Sequence, residues 1–183
     1  MFKYLIFISL FLTLNLSAEI VKKLEVKGNI RISEETIKVY GEIKLNEDYS
    51  NIEINNVLKR LYKTEFFEDI KISLDTGVMN INVKEYASIN SIDLVGEKSN
   101  TVKEKILEQL KLQNKESFID SKLSEDIDLI KKIYASMGYN FATVEAKIKK
   151  FSDNRINLTF FLDKEKKTNI AKIYFTGDKK VKE

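Results

Sequence analysis

Apolar and polar residues alternate along two neighbouring runs in the first half of the chain, from Ile70 to Asp75 and from Val78 to Glu85. A period of two residues is that of a β-strand buried on one face. Thr76-Gly77 joins the runs, so the stretch is predicted to form a β-hairpin. Two strands alone are marginal in water, and an amphipathic helix from Ile54 to Phe67 supplies the surface against which they pack.

The elements before this hairpin complete a first unit. Leu24 and Val26 alternate with charged residues and predict a strand that ends at Gly28-Asn29. Ser33 is a good N-cap for a first helix, since its hydroxyl can accept a hydrogen bond from the first turn. Three apolar residues are predicted to form the buried stripe of that helix: Ile37, Tyr40 and Ile43. Residues 19–86 are therefore predicted to form a β-α-α-β-β unit.

The same order restarts at residue 87 and continues to residue 167. The second copy has a strand that leads into Gly96, a capping box at Thr101 and Glu104, a long helix ended by Gly138, and a hairpin. A third strand pattern, with Ile173 and Phe175, follows in residues 168–183. The chain stops there, so we expect two complete units and the first strand of a truncated third.

Connectivity predicts an α+β fold in which each unit has a three-stranded mixed sheet with two helices on one face. The helical pair makes the first and third strands parallel, and the hairpin places the second strand at an edge. Edge strands present unpaired backbone groups and accept extended peptides by β-augmentation. The candidate partner-binding residues are those of the two edges: Glu68, Asp69, Ile70, Lys71, Ile72, Ser73, Thr143, Val144, Glu145, Ala146, Lys147 and Ile148.

Composition excludes several classes of chemistry. The chain has neither Cys nor His, which excludes Cys/His zinc sites, thiol catalysis, Ser-His-Asp triads and disulfides. The net charge of +3 and the scattered lysines do not indicate a nucleic-acid surface. Acidic residues such as Asp75 and Asp126 are expected to lie on outward strand positions or in the first turn of a helix, and not in a pocket. We predict no enzymatic activity and no cofactor or metal.

Five segments resemble the polypeptide-transport-associated (POTRA) family in both order and spacing. They are similar to the family's opening strands, its helix-to-strand corners and its last strand: Ile20–Gly28, Thr64–Ile72, Ser88–Ser99, Tyr134–Val144 and Asn154–Leu158. Two positions depart from the family pattern. Glu65 stands where the family has Gly, so the first corner is not expected to use φ > 0. Tyr86-Ala87 replaces the usual Pro at the junction between domains.

The resemblance implies a periplasmic arm, attached to the outer membrane in the full-length protein through a C-terminal barrel missing from this chain. Its partners would be unfolded outer-membrane protein clients and the accessory lipoproteins of an assembly complex. Two alternatives remain open at this point: the POTRA arm of another outer-membrane transporter, and a signal-anchored periplasmic cell-division scaffold.

Residues 1–18 have the pattern of a signal peptide. Lys3 precedes an apolar run from Tyr4 to Leu16, and Ser17-Ala18 offers a small-residue cleavage site. We predict that export removes these residues, and mass spectrometry of the periplasmic protein should then find its N-terminus at or near Glu19. An intact N-terminus in the inner-membrane fraction would instead indicate an uncleaved anchor.

Overall fold

The computed structural model describes residues 18–169 and 172–174. The chain divides into two units between Tyr86 and Ala87, and each unit is described by itself. The predicted signal peptide falls outside the described residues except for Ala18. Most of the predicted third-unit strand, including Phe175, also falls outside them, so both assignments stay predictions.

Unit 1 contains a three-stranded sheet, a two-stranded sheet and two helices. Its elements are β1 (Glu19–Ile20), β2 (Lys23–Lys27), α1 (Glu34–Tyr40), β3 (Asp48–Tyr49), α2 (Asn51–Lys63), β4 (Phe67–Asp75) and β5 (Val78–Glu85). The larger sheet has the order β2-β5-β4, with β2 parallel and β4 antiparallel to the central strand. The predicted strand order and directions are confirmed.

Unit 2 repeats this architecture. Its elements are β6 (Ser88–Val95), α3 (Asn100–Gln109), α4 (Asp120–Ser136), β7 (Thr143–Lys150) and β8 (Arg155–Asp163). The sheet order is β6-β8-β7, again with the outer strands parallel and antiparallel to the central one. The α+β class and the mixed three-stranded sheets are thus as predicted.

Each unit has its own hydrophobic core between the helices and one face of the sheet. Val57 and Leu61 of α2 lie buried with Met79 and Ile81 of β5. In unit 2 the corresponding core contains Ile106, Ile130, Tyr134, Leu158 and Phe160. Complete burial of such a side chain contributes about 1.5–3 kcal/mol each, so these contacts dominate the stability of each unit.

Sequence patterns did not predict the small sheet formed by β1 and β3. The N–H of Asn46 donates to the C=O of Val21 at 2.7 Å, beside the β1–β3 pair. Unit 2 repeats the contact, since the N–H of Lys115 donates to the C=O of Ile89, also at 2.7 Å. Asn46 and Lys115 both have positive φ, 64° and 71°. The repeat therefore extends to the loop between the helices.

The caps and buried positions predicted for the helices are confirmed in some cases and wrong in others. Ser33 caps α1 as predicted, its hydroxyl accepting the N–H of Thr36 at 3.1 Å. The predicted capping box of α3 is wrong: Ser99 is the N-cap, and Thr101 lies inside the helix. Tyr40 is half-exposed, and its ring contacts Phe66 edge-on instead of entering the core.

The helix-to-strand corners share one backbone conformation. Gly138 follows α4 with φ 92°, and the N–H of Tyr139 donates to the C=O of Tyr134, which completes a Schellman C-cap. Glu65 occupies the same position after α2 and has φ 58°. The expectation that Glu65 would avoid the left-handed region is wrong. Burial of Phe67 two residues later holds the corner against the strain of a side chain there.

Three buried carboxylates hold loops by accepting backbone N–H groups. Glu85, at the end of β5, accepts from Ile30 and Ile32 at 2.7 and 2.9 Å. Asp126 of α4 accepts from Lys111 and Leu112 at 2.7 and 2.9 Å. The expectation that Asp126 would lie in a first helical turn is therefore wrong: it lies in the second turn of α4, buried, and its carboxylate ties the α3–α4 loop to the helix.

Glu97 is the third of these carboxylates, and it accepts from both backbone and side-chain donors. It accepts the N–H of Ser99 at 2.9 Å, the hydroxyl of Tyr134 at 2.6 Å and the ammonium of Lys164 at 3.1 Å. Burial acts to raise the pKa of Glu97, but these three donors outweigh it and lower the pKa from 4.5 to about 2. Burial, and then the bond to the Glu97 carboxylate, raise the pKa of the Tyr134 hydroxyl.

Gly28 and Gly96 end the first strand of their units against the backbone of the central strand. A Cβ on Gly28 would lie 2.1 Å from the carbonyl oxygen of Val83, and one on Gly96 would lie 2.0 Å from that of Leu162. Both residues also have positive φ, 83° and 99°. Only glycine allows this approach, so the parallel pairing of each sheet depends on it.

We predict that Gly96→Ala destabilises unit 2 by about 3 kcal/mol or more, because a central-strand carbonyl must move. Gly138→Ala is the matched control. Its φ is similarly positive, but its Cβ would meet the flexible side-chain end of Lys167, at 2.9 Å. It should cost about 1–2 kcal/mol. Urea unfolding of the full chain, followed through NMR signals of residues 88–163, measures both. Equal losses of stability in the two variants would show that the positive φ, and not the close approach to the carbonyl, causes the destabilisation.

We also predict that the Glu97 carboxylate stabilises unit 2 only above acidic pH. Because its folded pKa is lower than its unfolded one, the contribution is complete above pH 4.5 and is lost as the pH falls towards 2. The loss should amount to about 3 kcal/mol. Glu97→Gln should flatten the pH dependence of urea unfolding in this window, whereas exposed Glu104→Gln should leave it unchanged. An unchanged slope in Glu97→Gln would contradict the assignment.

Candidate partner-binding edges

Strands β4 and β7 are outer strands of their sheets, as the sequence predicted. β2 and β6 form the opposite edges. Among the described residues, no further strand lies beside β4 or β7. The register of each hairpin determines which backbone groups face the edge.

The turn of the first hairpin determines the register of β4. Thr76 and Gly77 both have positive φ, 50° and 80°, as a two-residue type I′ turn requires. Asp75 and Val78 then form a hydrogen-bonded pair, and such pairs alternate along an antiparallel ladder. The N–H and C=O groups of Ile70, Ile72 and Leu74 consequently point away from β5.

A side chain confirms this register independently. The N–H of Ile70 donates to the hydroxyl of Tyr62 on α2 at 3.1 Å, so it does not point to β5. Ile70 is opposite Val83, in a pair that the turn predicts to be non-hydrogen-bonded. Two separate observations therefore place the same backbone groups at the edge.

The second hairpin gives the register of β7. The N–H of Phe151 donates to the C=O of Arg155 at 2.9 Å, closing a three-residue loop in which Asn154 has φ 56°. Alternation from this bonded pair directs four residues of β7 to the edge. These residues are Val144, Ala146, Ile148 and Lys150.

All the predicted site residues lie on the two edge strands, but their backbone groups face different ways. Five of them point to the edge: Ile70, Ile72, Val144, Ala146 and Ile148. Six alternate with those and pair with the central strand: Asp69, Lys71, Ser73, Thr143, Glu145 and Lys147. Glu68 lies in a β-bulge between Phe67 and Asp69. The predicted binding residues stop at Ser73 and Ile148, and the parity of the turns adds Leu74 and Lys150 to the edge-facing set.

A groove runs beside the β4 edge. It has a volume of about 530 Å³ and lies between β4 and the N-terminal half of α2. Its apolar wall consists of Ile54, Ile72 and Leu74, and Tyr49 adds a ring. Glu19, Asn51, Asn55 and Ser73 provide the polar remainder. No periodicity in the sequence indicated that α2 and β4 would leave this space.

The outward side chains of β7 are mostly charged. Lys147 places its Nζ 4.7 Å from the ring centre of Phe161, and Lys149 lies 5.4 Å from that of Phe151. Long cationic side chains on an edge strand discourage uncontrolled pairing with other chains. The β7 edge thus has unpaired backbone groups, and its charged side chains disfavour nonspecific pairing.

Neither edge has the arrangement of a metal site or a membrane segment. Within residues 18–169 and 172–174, no three acidic side chains come together as metal ligands. In the same part of the chain, no helix has both the length and the apolar character needed to cross a bilayer.

Comparison with known proteins finds a family match within unit 2. Residues 87–165 match the model of the POTRA family, which is described as a surface antigen variable number repeat. Over 160 residues, 86% of the chain, the sequence is 26% identical to outer membrane protein assembly factor BamA of Neisseria meningitidis serogroup B. BamA of Neorickettsia risticii is 22% identical over 170 residues, 92% of the chain. The chain spans only 20% and 23% of the length of these curated relatives.

Two solved structures align with most of this chain. The N-terminal domain of Omp85 from Thermosynechococcus elongatus has a TM-score of 0.48 at 18% identity, covering 79% of this chain and 63% of that one. The BamA POTRA3-5 structure from Haemophilus influenzae has a TM-score of 0.40 at 17% identity, covering 92% and 76%. The family match and the relatives confirm the resemblance recognised in the sequence motifs. Residues 87–165 therefore match the POTRA family model, in a chain that is similar in sequence to BamA proteins over most of its length.

Proposed function

We propose that the chain is part of the periplasmic arm of an outer-membrane protein assembly factor and receives unfolded β-barrel clients at β4 and β7. The observation that carries the proposal is the set of backbone groups directed to these edges, at Ile72, Leu74, Ala146 and Ile148. The POTRA match and the similarity to proteins named outer membrane protein assembly factors support it.

An unfolded client suits such an edge for a physical reason. Strands that have not yet closed into a barrel carry unsatisfied N–H and C=O groups, and an edge strand offers the complementary pattern. Backbone pairing is tolerant of sequence, so one edge serves many clients. The groove beside Ile72 and Leu74 adds room for one face of a client strand in unit 1.

Binding at a single edge should be weak, with Kd of ~10⁻⁴–10⁻³ M, because ordering an extended peptide offsets most of the pairing energy. Weak binding suits a receiver, since the client has to leave again for the membrane. In this proposal the chain is a binding scaffold and not an enzyme. Accessory lipoproteins would dock on the same arm, which the full-length protein anchors to the outer membrane.

We predict that a proline pair separates client binding from folding in unit 2. Ala146→Pro removes an N–H that faces the edge, so the domain should remain folded while the affinity for a strand peptide falls severalfold. Lys147→Pro removes an N–H that pairs with Thr159 of β8, so it should destabilise the domain by about 3 kcal/mol or more. Circular dichroism reports folding, and NMR titration with a peptide from an outer-membrane β-strand reports binding.

The titration itself tests the proposal. In the unsubstituted chain, the peptide should shift amides along β4 and β7. Shifts confined to the exposed faces of the helices would reject strand addition and indicate groove binding by another mode. Unchanged affinity in a folded Ala146→Pro variant would exclude the β7 edge as the site.

A further inference from the structure

The two edges differ at one contact. In unit 1, Tyr62 extends from the last turn of α2 to β4, and its hydroxyl accepts the N–H of Ile70 at 3.1 Å. That N–H belongs to the edge-facing set, so it is already occupied within the unit. Tyr62 is itself 41% exposed, and its ring therefore lies at the surface where a client strand would arrive.

The groove lies beside the next residues of β4, beyond the contact between Tyr62 and Ile70. Ile72 and Leu74 follow Ile70 in the edge-facing set, and both line the groove with Ile54. A strand added here would pair with these two residues and place one alternate side chain against the apolar wall. Extending the pairing by one step would require the client to displace the Tyr62 hydroxyl from Ile70.

We propose that Tyr62 sets the register and length of client pairing at the first edge, limiting it to Ile72 and Leu74. The matching ligand is an extended segment that carries an apolar residue at the position facing Ile54. This inference rests on the proposed function, and it adds a limit to how far a client strand can pair along β4. Tyr62 acts as a specificity-determining residue because its hydroxyl competes with the client for one donor.

In the described part of unit 2, the position that corresponds to Tyr62 carries no hydroxyl group. The left-handed residues Glu65 and Gly138 align the two corners, so Ala135 occupies the position of Tyr62. Ala135 is exposed and its methyl group has no hydrogen-bonding atom. Val144, which pairs with β8 as Ile70 pairs with β5, therefore has no such competitor from that position. The second edge should accept a strand along Val144, Ala146 and Ile148.

Tyr62→Phe tests the inference, because it keeps the ring and removes only the hydroxyl. The probe is a capped peptide of alternating valine and threonine with lysine at each end, titrated into the isotope-labelled full chain. In the unsubstituted protein, the amides of Ile72 and Leu74 should shift while that of Ile70 does not. In Tyr62→Phe, Ile70 should join them, and the affinity at β4 should rise about 2- to 10-fold, the effect of one added hydrogen bond.

Tyr40→Phe is the matched control. Tyr40 is a half-exposed tyrosine of the same unit whose contact is a ring contact to Phe66, so its variant should behave as the unsubstituted protein. Hydrogen exchange without peptide gives a second readout. The Ile70 amide should exchange faster in Tyr62→Phe and at the unchanged rate in Tyr40→Phe.

Different failures have different meanings. If Ile70 shifts together with Ile72 and Leu74 in the unsubstituted protein, or if Tyr62→Phe changes neither affinity nor exchange, Tyr62 does not set the register, and edge binding stands. If no β4 amide responds in any variant, both the inference and strand addition at the first edge are overturned. The β7 amides report in the same titration whether strand addition fails in unit 2 as well.

Discussion

The alternation of bonded and non-bonded pairs in each hairpin couples the core to the edge. Side chains and backbone groups both repeat every two residues along a strand, so their directions are locked together. On β4, the residues whose side chains face the helices are also those whose N–H groups face outward. A client strand would therefore pair with the same residues that hold the core. Truncating their side chains would disturb the core as well as the proposed pairing. Replacing a residue by proline, which removes one N–H, is therefore the cleaner probe.

Much of this arrangement could be predicted from the sequence because it depends on local periodicity. Alternation over Ile70 to Asp75 and Val78 to Glu85 indicated the strands, and the short hairpin connection placed β4 at an edge. The parity of the edge was also available in principle. A two-residue turn makes Asp75 and Val78 a bonded pair, and counting back from them separates Ile72 from Lys71. The predicted set does not use this parity, so it contains residues of both directions.

The remaining features involve side chains that reach across elements, and local patterns do not encode them. Tyr62 and Ile54 both fit an amphipathic helix, yet one bonds β4 and the other lines a groove. The loop-holding acid also changes position between units. Glu85 ends the central strand of unit 1, whereas Glu97 follows the first strand of unit 2 and contacts Lys164 beyond the central one. The loop after the first strand is thus held in both units by a buried carboxylate. In unit 1 that carboxylate comes from the central strand, and in unit 2 it comes from the loop itself.

The close approach at Gly28 and Gly96 has a consequence for the order of folding. Each hairpin is local in sequence and can close early, whereas the parallel pair joins strands separated by two helices and must close a long loop. Until Gly28 or Gly96 meets its carbonyl, the central strand has an exposed side of its own. A chain in which only the hairpins have closed would therefore present an additional unpaired strand edge, which can pair with neighbouring chains.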